Sequence, residues 1–566
     1  MIEINNLHRS FGDTEVLSGI QLNIVPGTFT AVLGCNGSGK STLARHLNAI
    51  LIPQTGTVTV DGISTNDDDL IYDIRERVGM VFQNPDSQAV ASIVEDDTAF
   101  APENLGLDES EIEVRIEYAL NAAGIGNLRQ RAISTLSGGQ KQLTAIAGIL
   151  AMRPGYMVFD ESSSMLDPMA RRRVLECVKR LKKELGLAVI WITHYMDEAA
   201  EAERVVIIDH GKIAVDGSPQ AVFADYGLIS RAGLEMPEPA RAAFMLINKG
   251  YNIEKIPLNE YECAEMLKGL IIGNTAYPKF GKAHERAGKE NINIKNISYK
   301  YRMPDGDVTA IDSVTAEIRS GIITAVIGST GSGKSTLMEI IGGITKPDSG
   351  EVQIGGKTVF GERNKIGMVF QYPEYQLFAE TVYEDIAFGL KRLGFSGDEL
   401  DIRVKDAAYK TGLGEKQLRA VPAELSGGQQ RMAAVAGILA MKPEILLLDE
   451  PAAGLDPAGR RRIFKIMEDM LRENPKMTII FVTHSMEDAA EYADDIILLD
   501  RGRLAAHGNP RDVFSKKEML IKCGLSAPVT MRIADELRRI GTDIGAPLTV
   551  KELCRAVCAV TEGGAS

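Results

Sequence analysis

The chain has 566 residues, and at about 150 residues per domain it is long enough for three or four globular domains. Its 63 lysines and arginines against 77 aspartates and glutamates give a net charge of −14, which argues against a general nucleic-acid-binding protein. The six cysteines have no Cys-x-x-Cys spacing, which indicates reduced thiols rather than a disulfide framework or a zinc site.

The N-terminal residues 1–11 alternate as a strand and then turn. They carry no basic segment followed by an apolar run, so we expect no signal peptide. No stretch of the chain approaches about 18 consecutive apolar residues, so we expect no membrane-spanning helix. Any role at a membrane would therefore require a separate partner.

The first chemical motif is the glycine-rich octapeptide at 34–41 (GCNGSGKS). It follows an apolar, β-branched run at 28–33 and precedes a helical pattern at 40–49, which is the strand, loop and helix context of a phosphate-binding loop. Glycines allow backbone N–H groups to surround phosphates, Lys40 would reach the outer phosphates, and the Ser41 hydroxyl suits Mg²⁺.

Two later strand patterns end in candidate catalytic side chains. The apolar run 156–159 leads into Asp160 and Glu161. Asp160 fits indirect or water-mediated binding of Mg²⁺, and Glu161 fits either a general base or a polariser of the attacking water. His194 follows the apolar run 187–192 and would donate a hydrogen bond to charge developing on the γ-phosphate. Each signal alone is weak, because a surface cap explains many such acid pairs and a lone histidine after a strand is more often structural.

Self-comparison shows that the chain is a duplicated unit. The octapeptide recurs at 328–335 (GSTGSGKS), and LSGGQ occurs at 136–140 and again at 425–429. This recurrence in matching context argues against an accidental match and favours a functional role for both histidines. The second copies of the candidate residues are Lys334, Ser335, Asp449, Glu450 and His484.

The repeat divides the chain into five segments. We predict a first nucleotide-type domain at 1–225 with a helical extension at 226–271, then a tether at 272–290, which has glycine, proline and scattered charge without a period. The second domain is predicted at 291–515, with its own helical extension at 516–566. The tether is long enough to let the halves meet in any orientation.

A phosphate loop, a Gln loop, LSGGQ, an Asp-Glu strand end and a histidine follow one another in each half. In this order of motifs, the chain resembles a tandem ATP-binding cassette (ABC) ATPase. The resemblance implies an α/β fold with two P-loop ABC ATPase domains, each with a parallel-sheet RecA-like core, antiparallel β and α-helical subdomains, and a small C-terminal helical extension. It implies ATP hydrolysis with Mg²⁺. It also makes Gln83 and Gln371 the Gln-loop residues that touch Mg²⁺ and the transport partner, and Asp167 and Asp456 the D-loop aspartates.

The resemblance also implies the other nucleotide-binding residues. Phe11 and Tyr301 occupy the place of the aromatic residue that stacks on adenine, with simple core packing as the alternative. The implied catalytic residues are Glu161, Glu450, His194, His484, Gln83 and Gln371. The implied nucleotide-binding residues of the first half are Phe11, Gly34, Asn36, Gly37, Gly39, Lys40, Ser41, Thr42, Ser137, Gly138 and Gly139, and those of the second half are Tyr301, Gly328, Thr330, Gly331, Gly333, Lys334, Ser335, Thr336, Ser426, Gly427 and Gly428. The implied metal-binding residues are Ser41, Gln83, Asp160, Ser335, Gln371 and Asp449.

In this family the LSGGQ loop closes over the nucleotide held by the other domain. The resemblance therefore implies intramolecular pairing of the two halves into two composite sites, and the tether makes this closure intramolecular. Neither half lacks the glutamate or the histidine, so we expect both sites to hydrolyse ATP. One departure from the family pattern is Ser162 and Ser163 after Glu161, where the second half has the commoner Pro451, and this bears on the shape of the first site's loop.

The segments after the Gln loops, 83–102 and 371–390, resemble those of the two ATPase subunits of energy-coupling factor (ECF) importers, here fused into one chain. This resemblance implies a vitamin, vitamin precursor or metal ion as cargo. Its implied partners are an integral membrane scaffold subunit and a substrate-binding membrane subunit, with no nucleic acid, at the cytoplasmic face of the cell membrane. The alternatives are the ATPase of another ABC transporter class, such as an exporter, and a soluble tandem ABC factor acting on ribosomes. The short linker and acidic charge disfavour the ribosomal factor.

An acidic cluster lies beside the Gln loops. It is either a solvated face or a groove that receives a basic coupling helix of the membrane partner. The groove hypothesis predicts that lysine at positions 96 and 97 abolishes assembly and leaves the fold intact. The members of the cluster are Asp86, Glu95, Asp96, Asp97, Glu374, Glu384 and Asp385.

Overall fold

The computed structural model describes residues 1–164, 166–271, 291–302, 306–371 and 373–562. The tether predicted at 272–290 lies outside the described residues. The chain divides into two compact units, residues 1–266 and 267–566, and the division falls within a helix at Glu260–Leu270.

The first unit combines an antiparallel sheet, a mostly parallel sheet and helices. Its strands are β1 (Ile2–Phe11), β2 (Thr14–Ile24), β3 (Phe29–Leu33), β4 (Thr55–Val60), β5 (Ile63–Ser64), β6 (Val78–Val81), β7 (Tyr156–Asp160), β8 (Ala188–Ile192), β9 (Arg204–Asp209) and β10 (Lys212–Gly217). Its helices are α1 (Lys40–Leu47), α2 (Ile71–Arg77), α3 (Pro85–Gln88), α4 (Val94–Asn104), α5 (Glu109–Ala123), α6 (Gly138–Leu150), α7 (Pro168–Leu185), α8 (Met196–Ala200), α9 (Pro219–Val222), α10 (Tyr226–Arg231), α11 (Glu238–Ile247) and α12 (Glu260–Leu270).

The mostly parallel sheet positions the chemical motifs. Its order is β10-β9-β3-β8-β7-β6, and only the pairing of β9 with β10 is antiparallel. Strand β3 (FTAVL) is buried along its whole length, because both faces of the sheet are covered. The carboxyl ends of β3, β7 and β8 lie at one edge of the sheet, where open α/β folds bind ligands.

Two hydrophobic clusters cover the two faces of this sheet. On one face, the antiparallel sheet β2-β1-β4-β5 and α1 pack against inward residues such as Val32 and Ile190. On the other face, the central helices α4 to α7 pack against Phe29 and Trp191. Residues of the C-terminal helical extension, including Leu234, belong to this second cluster. The extension is therefore part of the unit's core.

The second unit repeats this architecture. Its strands are β11 (Ile292–Tyr301), β12 (Val308–Ile318), β13 (Ile323–Ile327), β14 (Ser349–Ile354), β15 (Lys357–Thr358), β16 (Ile366–Val369), β17 (Ile445–Asp449), β18 (Thr478–Val482), β19 (Asp495–Asp500) and β20 (Arg503–Gly508). Its helices are α13 (Lys334–Ile341), α14 (Val382–Arg392), α15 (Gly397–Thr411), α16 (Glu415–Arg419), α17 (Gly427–Ala440), α18 (Pro457–Glu473), α19 (Met486–Tyr492), α20 (Pro510–Phe514), α21 (Lys517–Lys522), α22 (Val529–Arg539) and α23 (Val550–Glu562).

The sheets of the second unit have the orders β12-β11-β14-β15 and β16-β17-β18-β13-β19-β20, which match the first unit strand for strand. The predicted fold class is therefore confirmed: each unit has a parallel-sheet core, an antiparallel β subdomain, a helical subdomain and a C-terminal helical extension. Within the described part of the chain, no helix is both long enough and apolar enough to cross a membrane.

Candidate functional site

The glycine-rich loop of each unit connects a buried strand to a helix at the carboxyl edge of the parallel sheet. Gly34 has a φ of 157°, and a Cβ at this position would lie 2.4 Å from the backbone oxygen of Ile208. Gly328 repeats this close approach, with a Cβ 2.4 Å from the oxygen of Leu499. Only glycine fits here, which explains why the loop begins with this residue in both units.

The loop lysines are folded inside their own loops. Lys40 is 4% exposed, and its Nζ donates to the backbone oxygens of Gly34 at 2.9 Å and Cys35 at 3.0 Å. Lys334 makes the same two bonds, to Gly328 at 3.0 Å and Ser329 at 2.9 Å. Each loop thus fixes a buried ammonium group by two of its own backbone oxygens, and this positive charge at a helix start suits phosphate oxygens.

The remaining loop residues frame this ammonium group. The Oγ atoms of Ser38 and Ser332 are buried and have no hydrogen-bond partner among the described residues. A Cβ on Gly37 or Gly331 would meet nothing within 4 Å, so the loop is open on that side. The other predicted residues lie in the loops, at Asn36, Gly39, Thr330 and Gly333, or in the first turn of the following helices, at Ser41, Thr42, Ser335 and Thr336.

The strand-end aspartates lie next to the helix that follows the loop. Ser41 Oγ donates to Asp160 Oδ1 at 2.8 Å. Burial raises the pKa of Asp160, and the hydrogen bond from Ser41 only partly offsets this effect. Burial likewise raises the pKa of Asp449, and its Oδ1 has no hydrogen-bond partner among the described residues. A hydroxyl and a buried carboxylate in contact are suitable Mg²⁺ ligands, since Mg²⁺ is commonly bound by one or two protein groups plus phosphates and water.

The strand-end glutamates contact the predicted histidines. Nε2 of His194 lies 2.7 Å from Oε1 of Glu161, although the approach is too poorly aligned to be a hydrogen bond. The corresponding distance between His484 and Glu450 is 2.5 Å. The two side chains meet because β7 and β8 pair in parallel, so that Asp160 lies opposite Ile192.

The charges around these glutamates determine their ionisation. Burial by itself would raise the pKa of Glu161, but the neighbouring His194 and Lys40, whose Nζ is 3.8 Å away, outweigh burial and lower it. The pKa of Glu450 is lowered in the same way by His484 and Lys334. Both carboxylates are therefore ionised and able to accept a proton from water.

The Gln-loop side chains differ between the units. Gln371 Nε2 donates to Oε2 of Glu450 at 3.1 Å, which places it at the acid–histidine pair. Gln83 Nε2 instead donates to Oγ of Ser164 at 3.2 Å. The structure thus brings Gln371 directly to the predicted base, whereas Gln83 reaches the loop that follows Glu161.

Each LSGGQ segment begins a helix with a reciprocal cap. In the first unit, Gln140 N–H donates to Ser137 Oγ at 3.4 Å, and Ser137 N–H donates to Gln140 Oε1 at 2.9 Å. The pair Ser426 and Gln429 repeats this capping box at the start of α17. Both serines are exposed, and the glycines that follow them, Gly138, Gly139, Gly427 and Gly428, form the first turn of each helix.

The predicted adenine-stacking residues are exposed aromatic side chains at the ends of β1 and β11. Phe11 is 48% exposed, with the guanidinium of Arg9 5.0 Å from its ring. Tyr301 is 40% exposed, and its hydroxyl is 3.1 Å from Oγ1 of Thr336, next to the phosphate loop. This exposure leaves both rings open for stacking and disfavours the core-packing alternative.

The acidic cluster beside the Gln loops is mostly engaged within its own unit. Asp97 Oδ1 accepts the N–H groups of Val90 at 2.7 Å and Ala91 at 3.2 Å, and so supports the preceding loop. Asp385 does the same for Phe378 and Ala379, at 3.0 and 3.1 Å. Asp86 and Glu95 pair with Lys141 and Arg129, and the side chain of Glu374 lies outside the described residues. These hydrogen bonds argue against the expectation that lysine at 97 leaves the fold intact, because Asp97 supports a loop.

Sequence reasoning missed three polar residues near the site. Glu198 is a buried carboxylate in α8. Arg431 donates to the backbone oxygens of Gln371 and Ala453, which ties α17 to the Gln loop and the D loop. Its counterpart Gln142 is buried, with no hydrogen-bond partner among the described residues for either amide atom. The alignment of the two halves pairs Gln142 with Arg431, and that mismatch was the available signal.

Comparison with known proteins agrees with this geometry. A family model described as ABC transporter matches residues 17–164 and 311–453. A protein of Methanosarcina mazei named as an ABC transporter ATP-binding protein is 35% identical over 98% of this chain and 96% of its own length. A similarly named protein of Caldanaerobacter subterraneus is 34% identical over 93% of this chain and 94% of its own length.

The chain belongs to the ABC transporter ATPase family. Among solved structures, cbiO1 of Clostridium perfringens, described as part of the ABC transporter complex cbiONQ, is 35% identical and matches 44% of this chain and 98% of its own, with a TM-score of 0.37. ABC ATPases hydrolyse ATP with Mg²⁺, and the predictions of ATPase activity and of these two ligands are confirmed. The buried lysine, the serine–aspartate contact and the open loop of each cassette fit both ligands.

Proposed function

We propose that this ABC ATPase energises an ECF-type importer of a vitamin, a vitamin precursor or a metal ion. The observation that carries the proposal of two working sites is that a glutamate and a histidine are in contact in each unit, and that the charge of the loop lysine acts on the same glutamate. In this proposal, ATP binding closes the two cassettes on each other and hydrolysis lets them open, so that the cycle drives a membrane partner.

The chemical roles follow from charge and position. Glu161 and Glu450 accept a proton from the attacking water, which their lowered pKa values support. His194 and His484 donate a hydrogen bond to charge developing on the transferred phosphoryl group. Mg²⁺, held through the serine and aspartate of each site and near the Gln-loop side chain, would supply neutralisation of phosphate charge.

Lys40 and Lys334 contribute a fixed positive charge to the outer phosphates. Phe11 and Tyr301 would stack on the adenine ring. In the composite arrangement that we propose, Ser426, Gly427 and Gly428 complete the site of the first cassette, and Ser137, Gly138 and Gly139 complete that of the second. The exposed serine and the helix start at the two glycines support this role, because a helix N-terminus can offer hydrogen bonds to phosphate oxygens.

The segment after Gln371 supports a membrane partner. Tyr375 and Phe378 are 85% and 66% exposed, and the Phe378 ring packs edge-on against Phe388 at 4.8 Å. Exposed aromatic groups of this kind mark interaction surfaces. We propose that this aromatic patch, defined by Tyr375, Phe378 and Phe388, receives the membrane scaffold subunit. The chain would then lie peripherally at the cytoplasmic face of the membrane, where the scaffold also holds a substrate-binding subunit.

The experiment that tests this function captures the ATPase from detergent-solubilised membranes and identifies the copurified subunits and their small molecule. We expect a scaffold protein together with a small membrane protein that holds a vitamin or a metal ion. Changing Phe378 and Phe388 to serine should remove both partners. The matched control is Tyr409→Ser, an 83% exposed aromatic side chain in α15. Recovery of the chain with salt-washed ribosomes, or with an exporter's membrane domain, would contradict the proposal.

A further inference from the structure

A carboxylate deep inside the first cassette contacts both sides of its catalytic centre. Glu198 in α8 is only 1% exposed. Its Oε2 accepts hydrogen bonds from Trp191 Nε1 at 2.8 Å, from Thr193 Oγ1 at 2.5 Å and from Ser163 Oγ at 3.1 Å. Three donors converge on one oxygen, which holds the carboxyl group of Glu198 in a fixed orientation.

Two of these donors adjoin the residues assigned to catalysis. Thr193 directly precedes His194, and its hydroxyl also accepts the N–H of Tyr195 at 3.0 Å. The backbone on both sides of the histidine is therefore tied to Glu198. Ser163 lies two residues after Glu161, in the loop that continues to the D loop. Glu198 thus connects the segment of the histidine with the segment of the glutamate.

A positive charge accompanies this buried carboxylate. Arg171 Nε lies 3.5 Å from Oε1 of Glu198, and the Arg171 guanidinium also covers the Tyr195 ring at 3.7 Å. Arg171 belongs to α7, whose N-cap is the D-loop residue Asp167. A buried carboxylate is retained when it is paired and hydrogen-bonded, and both conditions are met here.

The second cassette does not repeat this arrangement. Its residues at the positions of Ser163 and Trp191 are Ala452 and Phe481, which have no side-chain donor. Asp488 replaces Glu198, and its Oδ1 accepts Nε and Nη2 of Arg460 at 2.9 and 2.6 Å. The buried acid is therefore held mainly by hydroxyl and indole donors in the first cassette and by an arginine in the second.

We propose that Glu198 is a positioning residue of the first ATP site, which holds His194 at a fixed place relative to Glu161 through Thr193 and Ser163. This inference rests on the proposed roles of Glu161 and His194. Glu198 itself does not touch the nucleotide. Its loss should therefore lower the turnover number and leave the binding of ATP unchanged.

The test compares Glu198→Gln with His194→Ala in the full chain carrying Glu450→Gln, so that only the first site turns over, by kcat, by KM and by the affinity for a fluorescent ATP analogue. We expect His194→Ala to lower kcat at least about tenfold, and Glu198→Gln to lower it to within about twofold of that value, with KM unchanged. The variant that combines His194→Ala with Glu198→Gln should have a kcat within about twofold of that of His194→Ala alone, because the two residues act through one step.

Two further variants separate positioning from folding. Ser163→Ala removes one donor and should lower kcat part of the way, with no added loss when combined with Glu198→Gln. The matched control is Thr98→Val, which removes a buried hydroxyl that donates to Val94 O at 2.7 Å in α4. This control should lower the thermal midpoint and leave kcat unchanged.

The possible failures are distinguishable. If His194→Ala keeps normal turnover, the proposed role of the histidine is wrong, and this inference fails with it. If His194→Ala loses turnover while Glu198→Gln keeps it, only the positioning role is wrong. If Glu198→Gln lowers kcat by the same factor with His194 present and with His194→Ala, the residue acts on the fold as a whole, and this result would also overturn the inference.

Discussion

Nε2 of His194 lies 2.7 Å from Oε1 of Glu161, and the second cassette repeats the relationship with 2.5 Å between His484 and Glu450. In each case burial opposes ionisation of the glutamate, and the neighbouring histidine and lysine reverse that effect. The contact thus joins the proposed proton acceptor to the group proposed to stabilise the transferred phosphoryl. Both cassettes carry this pair, which makes it the central feature to test.

We expect the paired change Glu161→Gln and Glu450→Gln to abolish steady-state ATP hydrolysis and to leave ATP binding intact. Glutamine keeps the shape of the side chain but cannot accept the proton of the attacking water. A coupled phosphate-release assay and the amount of ATP retained after gel filtration would measure the two effects. The two single variants are the controls, and unchanged turnover in the double variant would refute the assignment of the base.

We expect Asp160→Asn to stabilise the nucleotide-free protein at neutral pH. Burial raises the pKa of Asp160 in the folded state, so the folded chain holds this proton more tightly than the unfolded chain. The free energy of unfolding therefore falls as pH rises from the unfolded pKa through the folded pKa, where the wild type must bury a charge. The asparagine variant lacks this penalty and still accepts the Ser41 hydroxyl.

Thermal midpoints measured from pH 4 to pH 8 without Mg²⁺ would check this effect. The thermal midpoint of the variant should exceed that of the wild type at pH 7, and the difference should disappear near pH 4, where the carboxyl group of the wild type is protonated in the folded state. Burial also raises the pKa of Asp449, so Asp449→Asn should have the same pH-dependent effect as Asp160→Asn. A constant difference across the pH range would exclude the explanation.

Arg431 and Gln142 occupy equivalent positions in the two units, and replacing each with methionine should change stability in opposite directions. Arg431→Met removes the donor to Gln371 O and Ala453 O, so we expect lower stability and lower turnover. Gln142→Met replaces a buried amide that has no partner among the described residues, so we expect about 1 kcal/mol of added stability and normal turnover. Chemical denaturation and ATPase rates of the two variants would test this pair, and equal effects would contradict it.

Neighbouring acids of α4 should have different roles. Asp97→Ala should destabilise the first unit by about 1–2 kcal/mol, because the N–H groups of Val90 and Ala91 lose their acceptor. Asp96→Lys, at an exposed position, should change stability by less than about 0.5 kcal/mol. Urea unfolding of both variants measures the difference. An Asp97 variant as stable as the Asp96 variant would show that the loop does not depend on this cap.

Removing the exposed aromatic rings should weaken nucleotide binding. We expect Tyr301→Ala to lower affinity at the second site by about tenfold, since aromatic stacking on a base is worth about 1–3 kcal/mol. Tyr301→Phe serves as the control, because it keeps the ring and loses only the contact with Thr336. Calorimetric titration with a non-hydrolysable ATP analogue would measure both. Equal affinity in the alanine variant would leave the ring with a packing role alone.

The local motifs could be predicted because their chemistry depends on residues that are close in the sequence. A phosphate loop needs glycines, a lysine and a hydroxyl within eight positions, and a capping box needs a serine followed three residues later by a glutamine. Glu161 and His194 were both assigned to the first ATP site, but only the structure showed that their side chains are in contact. The fold class was implied by the family resemblance that these motifs carry.

The sequence by itself thus determined the family, the duplication and the residue types at each ATP site. The tertiary structure alone revealed how those sites are supported: Ser163, Trp191 and Thr193 converge on Glu198, Asp97 holds its preceding loop, and Arg431 ties a helix to two loops. Such contacts join separate segments through packing, and no spacing rule encodes them. The physical reason is that a buried polar group needs a partner, but only the folded chain decides which partner lies within reach.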